Sequence, residues 1–170
     1  MVATSPLIAF IPTRDAVRAR RFYEDLLGLR FVSDDSFALV MDANGTMIRI
    51  ARVGEFTPAP FTILGWHVAD IHKEVAELSS KGLTFARYPH VEQGADGVWT
   101  APGGAKVAWF LDPDGNTLSL SQHKQRIAAV QNSTRNPSCT CRSRARLVAA
   151  EVYVPNGRTF NPSAATVAAL

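Results

Sequence analysis

Few side chains in this sequence combine chemical capacity with a spacing that gives it direction. His67 closes the run Ile63-Leu64-Gly65-Trp66-His67, where an imidazole serves either as a general base and hydrogen-bond anchor or as a structural hydrogen bonder. Arg49 interrupts the apolar run Met47-Ile48-Arg49-Ile50-Ala51. A guanidinium there either binds a carboxylate, phosphate or similar anion, or reaches the rim or a protein carboxylate such as Asp42. Trp109 stands in Val107-Ala108-Trp109-Phe110 and either stacks on a planar ligand or joins the core, as do Trp66 and Trp99. Asp112, Asp114 and Asn116 alternate as in a calcium loop, but Pro113 and the missing downstream glutamate favour a tight turn. His72, His90 and His123 lack metal-ligand spacing, and Cys139-Thr140-Cys141 has no histidine nearby with which to hold zinc.

These residues are positioned by a repeat. Ile8-Ala9-Phe10-Ile11-Pro12-Thr13-Arg14-Asp15 leads through a helical run to Leu27-Gly28-Leu29-Arg30-Phe31. Ile63-Leu64-Gly65-Trp66-His67-Val68-Ala69-Asp70 leads likewise to Lys81-Gly82-Leu83-Thr84-Phe85. Asp15 and Asp70 are 55 apart, whereas Gly28/Gly82 and Phe31/Phe85 are 54 apart, so the register slips by one residue inside the helix. Two similar halves pack alike, and the cleft between them is the natural place for chemistry.

Asp15 suits the N-cap of a helix over roughly 16–27, with Val17, Phe22, Leu26 and Leu27 forming its apolar stripe and Gly28 its left-handed stop. Strands are predicted at 7–12, 29–33, 36–42 and 46–53, the last two joined by a hairpin at Asn44-Gly45. After the linker Thr57-Pro58-Ala59-Pro60 come a strand at 61–68, a helix at 71–81, and strands at 83–88, 97–100, 105–111 and 117–122. The fold class is α+β: two βαβββ modules, about 6–55 and 61–123, forming a cupped mixed sheet with helices on the outer face.

Composition sets the outer bounds. The chain has 170 residues and 46% apolar content, enough for one domain with a real core. No apolar run of about 18 residues suggests a membrane span, the N-terminus lacks the layout of a secretion signal, and a cytoplasmic protein is expected. Before residue 124 there are eleven Lys/Arg against fourteen Asp/Glu, and from there on seven against Glu151 alone. Residues 1–123 therefore form an acidic body without a nucleic-acid footprint, and 124–170 are expected to be a basic, mostly mobile extension.

Two segments give the body a resemblance. Arg21-Phe22-Tyr23-Glu24-Asp25-Leu26-Leu27-Gly28-Leu29 and Asp112-Pro113-Asp114-Gly115-Asn116 resemble signatures of the vicinal oxygen chelate superfamily: glyoxalases, bleomycin resistance proteins and extradiol dioxygenases. The run Val98-Trp99-Thr100-Ala101-Pro102-Gly103-Gly104-Ala105-Lys106-Val107-Ala108-Trp109-Phe110 resembles a bacterial glyoxalase-like subgroup of uncharacterised function. The resemblance covers about residues 6–123 and implies two modules around a half-open cup. It also implies a metal held by one first-strand and one last-strand residue of each module. Carried over from Asp15, Asp70, Gly45 and Gly115, those positions are Ile8, Ile63, Arg49 and Ser119. Divalent metals need imidazole, carboxylate or thiolate donors, so no metal and no other cofactor is expected.

From those positions, strand alternation places Ile8, Phe10, Arg49, Ile63, Gly65, His67, Trp109, Thr117, Ser119 and Ser121 on the cup face. The expected function is metal-independent binding of a small aromatic or apolar organic acid by Phe10, Arg49, His67, Trp109 and Ser119. The alternative is an enzyme, glyoxalase-like or dioxygenase-like, with a relocated metal or acid–base catalysis by His67. The resemblance further implies a homodimer with clefts shared between chains; neither nucleic acid nor a membrane is an expected partner.

Overall fold

Asp15 and Asp70 begin the two helices as their spacing predicts. Asp15 accepts from the N–H groups of Val17 and Arg18 at 3.0 Å, and Asp70 from His72 and Lys73 at 3.1 and 3.2 Å. Such caps satisfy first-turn donors that have no partner within the helix. The computed structural model describes residues 2–123, and the predicted basic extension lies outside the described residues.

In the first module β1 (Ile8–Thr13) leads to α1 (Ala16–Arg20), which runs into a π-helical segment, Arg21–Leu26. Then follow β2 (Arg30–Asp34), β3 (Ala38–Ala43) and β4 (Thr46–Arg52). The second module has β5 (Leu64–His67), α2 (Ile71–Ser80), β6 (Trp99–Thr100), β7 (Lys106–Leu111) and β8 (Thr117–Gln122). The strands form two four-stranded mixed sheets, ordered β1-β4-β3-β2 and β5-β8-β7-β6, with β1/β4 and β5/β8 parallel. The α+β class and the doubled βαβββ order both hold.

The one-residue slip between the halves has a physical location. Leu27 N–H donates to the Phe22 carbonyl at 3.0 Å, a bond spanning five residues rather than four. This wide turn absorbs the extra residue of the first module while leaving Gly28 (φ +73°) as the left-handed stop, matching Gly82 (φ +95°). The hairpin at Asn44-Gly45 also forms, with φ of 51° and 88° at its two central residues.

Two predicted strands differ. Residues 83–88 touch β7 through the bridge Phe85–Phe110 and the bond from Ala86 N–H to the Trp109 carbonyl, 2.7 Å, but do not extend into a strand. The Gln93 side chain takes the Ala86 carbonyl at 3.0 Å and the Tyr88 N–H at 2.8 Å, diverting groups a ladder would need. The strand predicted at 61–68 is also shorter: β5 starts at Leu64, and Ile63 packs partly buried against the core.

One core serves both modules. Ile11, Tyr23, Leu39, Met41, Ile48 and Ile50 join Ile71, Val75, Phe110 and Leu118 in a single buried cluster, with Phe22 6.4 Å from Phe110 across the module boundary. A buried polar clasp reinforces it. The Tyr23 hydroxyl donates to Asp112 Oδ2 at 2.8 Å, the Thr13 hydroxyl to Asp114 Oδ2 at 2.5 Å, and Asn116 Nδ2 to the Pro12 carbonyl at 2.9 Å. Asp112 Oδ1 also accepts the N–H groups of Asp114 and Asn116, both at 2.9 Å. The predicted turn thus pins the end of β7 to the first module.

Candidate functional site

Two sheet faces carry the predicted residues. On the first sheet the parallel register sets Phe10 beside Arg49 and Ile8 beside Met47, and the antiparallel register sets Val40 on the other side of Arg49. Cross-strand partners share a face, so Ile8, Phe10 and Arg49 do lie together. Ile8, which opens β1, is 49% exposed, and Phe10, within it, is 64% exposed, an unusual state for a large apolar side chain inside a strand. A groove of about 420 Å³ next to this row is lined by Leu7, Ile8, Val32, Val40, Met47 and the pair Arg30–Asp42, with neither Phe10 nor Arg49 in its wall.

The Arg49 guanidinium meets a protein carboxylate: Nη2 donates to Asp35 Oδ2 at 2.9 Å. The partner is Asp35, in the β2–β3 connection, and not Asp42, which accepts from Gly45 N–H at 3.0 Å and lies 3.4 Å from Arg30. Asp35 is anchored by the backbone N–H groups of Phe37 and Ala38, both at 2.8 Å. Those two bonds, with Arg49 adding to them, hold its carboxyl below the usual carboxylate range. Arg52 at the end of β4 and Asp34 at the end of β2 form a second pair at 2.6 Å.

On the second sheet Gly65, Ser119 and Trp109 form one row across β5, β8 and β7, and His67 and Ser121 begin the next. Here the face is filled. Trp109 is 3% and Ser119 7% exposed; Trp109 packs edge-on to Tyr88 at 5.6 Å and against Trp99 at 5.9 Å. A Cβ on residue 65 would fall 2.6 Å from the Ser119 hydroxyl, so β5 and β8 approach this closely because residue 65 is glycine. His67 is exposed and stacks on His123, centroids 5.7 Å apart and planes 8° off parallel. The predicted site residues therefore fall into two groups, Phe10 with Arg49 on one sheet and His67, Trp109 and Ser119 on the other.

The clasp was not foreseen as a device joining the halves. Its signal was present as two acids and an amide packed into the turn between apolar strands. Burial raises the Tyr23 hydroxyl's pKa, and the neighbouring Asp112 adds to this, so the phenol stays protonated and donating.

The profile of the glyoxalase/bleomycin resistance protein/dioxygenase superfamily matches residues 6–120. The chain belongs to that superfamily. No match was found among curated proteins. Among solved structures, a superfamily member from Sphaerobacter thermophilus is similar at 23% identity and TM-score 0.58, covering 72% of this chain and 100% of its own. The bleomycin resistance determinant encoded on transposon Tn5 is similar at 22% identity and TM-score 0.57, with 72% and 100% covered. A lactoylglutathione lyase from Agrobacterium tumefaciens is similar at 14% identity and TM-score 0.55, with 70% and 93% covered. At these identities the likeness shows the superfamily fold alone.

The positions at which the resemblance implies metal ligands can be judged by the chemistry of the side chains they hold. Ile8 and Ile63 have hydrocarbon side chains, Arg49 is a cation paired with Asp35, and Ser119 is a single hydroxyl, so these four do not fit a divalent ion. Among the described residues no group of three or more His, Cys, Asp or Glu could hold one elsewhere. No helix among them is long and apolar enough to cross a membrane.

Proposed function

We propose that this chain is a small-molecule binding protein of the superfamily that works without a metal and takes an aromatic or apolar organic acid. The observation that carries this reading is the row Phe10–Arg49–Val40, a guanidinium between apolar neighbours on a sheet face that leaves Phe10 exposed. A planar acid would lay its ring on Phe10 and offer its carboxylate to Arg49, whose five N–H donors exceed what the Asp35 carboxylate can accept. On the second sheet Trp109 and Ser119 form a packed floor, and His67 supplies an exposed imidazole at its margin.

A homodimer belongs to the same reading. Leu7, Ile8, Phe10, Val32 and Met47 leave an apolar strip open on the first sheet, and a second copy laid over it would turn an open face into an enclosed cleft. The test is a thermal-shift series with aromatic carboxylates, run with and without a chelator and alongside elemental analysis. A concentration-dependent rise that survives chelation and needs about tenfold more ligand in Arg49→Ala is expected. A rise that requires added zinc, nickel, manganese or iron(II) overturns the reading in favour of a metal enzyme.

A further inference from the structure

Arg49 and Asp35 are neutral as a pair, and that neutrality constrains what can bind beside them. Nη2 of Arg49 donates to Asp35 Oδ2 at 2.9 Å, and no other acceptor among the described residues takes one of its remaining N–H groups. Asp35 Oδ1 is filled by the N–H groups of Phe37 and Ala38, both at 2.8 Å, whereas Oδ2 holds Arg49 alone and keeps a second acceptor position.

The carboxylate is also fixed in place. The Asp35 N–H donates to the Ala38 carbonyl at 3.0 Å, and Arg52 Nη1 donates to the Asp35 carbonyl at 2.5 Å. The Arg52 N–H holds the Phe37 carbonyl at 2.8 Å, and the Arg52 guanidinium is taken by Asp34, so it adds no second cation. The β2–β3 connection thus presents one carboxylate at a set position beside one guanidinium. Both side chains reach solvent, Asp35 with 42% and Arg49 with 28% of its surface exposed. Phe10 flanks Arg49 on β1, and Val40 flanks it on β3.

A bare carboxylate is a poor match for this pair. Laid on the guanidinium, it comes within about 5 Å of the Asp35 carboxylate, because both acids accept from the same fork of N–H groups. Attraction to Arg49 is then opposed by repulsion from Asp35, which its two backbone bonds keep ionised. A ligand with a cation next to its acid reverses the sign of the second contact. In an α-amino acid the ammonium is one carbon away from the carboxylate, close enough to reach Asp35 Oδ2 while the carboxylate stays on Arg49. Each charge of the zwitterion then faces the opposite charge of the pair, and Phe10 is left for the side chain.

We propose that the acid taken by this face is an aromatic α-amino acid, with its carboxylate on Arg49, its ammonium on Asp35 and its ring on Phe10. The proposal rests on the reading of Arg49 as an acid-binding group and narrows the ligand class to zwitterions, with Asp35 setting the specificity.

The full chain is titrated by calorimetry at pH 7 with L-phenylalanine, N-acetyl-L-phenylalanine and 3-phenylpropionate. All three carry the ring and the acid, and only the first carries the ammonium. Phenylalanine is expected to bind at least about tenfold more tightly than the other two, the scale of one charged hydrogen bond. Asp35→Asn keeps an oxygen for Phe37 and Ala38 but removes the charge. There the preference is expected to vanish, and 3-phenylpropionate to bind more tightly than to the natural protein, a gain that also shows the variant to be folded. Arg49→Ala should weaken all three. If 3-phenylpropionate equals or exceeds phenylalanine in the natural protein and still weakens in Arg49→Ala, the acid site stands and the zwitterion proposal falls. A preference for phenylalanine that survives Asp35→Asn overturns it as well. Binding of none of the three overturns both.

Discussion

On the first sheet Ile8 and Phe10 project from the strand with about half or more of their surface in water, whereas on the second Trp109 and Ser119 lie beneath other side chains. Both faces are built by the same order of elements, so the difference does not come from the sheets. It comes from what connects them. Between Phe31 and Ala38 the first module turns back within a few residues, pinned by Asp35. Between Phe85 and Lys106 the second module makes a long excursion through Tyr88, Gln93 and Trp99 before rejoining β7. That excursion supplies the rings that close over Trp109. A repeated fold thus produces one face that is covered by its own chain and one that the described residues leave exposed.

The comparison is most severely tested at the joint between the halves. Asp112→Ala removes the acceptor of Tyr23, Asn116 and two backbone N–H groups in a buried setting, and a loss of about 3 kcal/mol or more in urea unfolding is expected. A smaller loss would mean that apolar contact and the bonds of Asp114 and Asn116 suffice to hold the halves together. Trp109→Ala should cost about 3–5 kcal/mol by the same measurement, because it opens a cavity in a filled face. Phe10→Ala should shift stability by no more than ~0.5 kcal/mol, yet reduce self-association in sedimentation analysis. Equal costs for the two would erase the distinction between the faces. Arg49→Ala is expected to weaken aromatic acid binding by about tenfold in calorimetry, the scale of one charged hydrogen bond.

The gentlest test is pH. Asp114 is lowered in pKa because the Thr13 hydroxyl and the backbone and side chain of Arg14 outweigh the opposing effect of burial. A depressed carboxyl contributes stability above its unfolded value, and that contribution disappears as pH falls through its lower folded value. Stability should therefore decline below the ordinary carboxylate range, and Asp114→Asn should flatten part of that decline in acid unfolding curves.

The alternation of apolar residues, the capping aspartates and the turn glycines were enough to expose the modules, their order and most strand positions in the sequence. These are local signals, each acting within a few residues. The site was legible only in part. Strand alternation placed Phe10 next to Arg49 correctly, but not the partner of Arg49, since Asp35 and Asp42 are both close in sequence and only the fold of the β2–β3 connection chooses between them. The covering of Trp109 by Tyr88 and Trp99 was hidden for a similar reason: residues 83–88 read as a strand until the Gln93 side chain claims their backbone groups.

The wide helical turn at Arg21–Leu26 also sets the phase of everything after it. A helix that gains a residue must either rotate every later side chain by about 100° or confine the surplus to one swollen turn. Here the swelling is confined, and Gly28 and Phe31 keep the places held by Gly82 and Phe85 in the other half. The one residue by which the two helices differ is thus held inside the first of them, and the strands that follow keep the same phase in both modules.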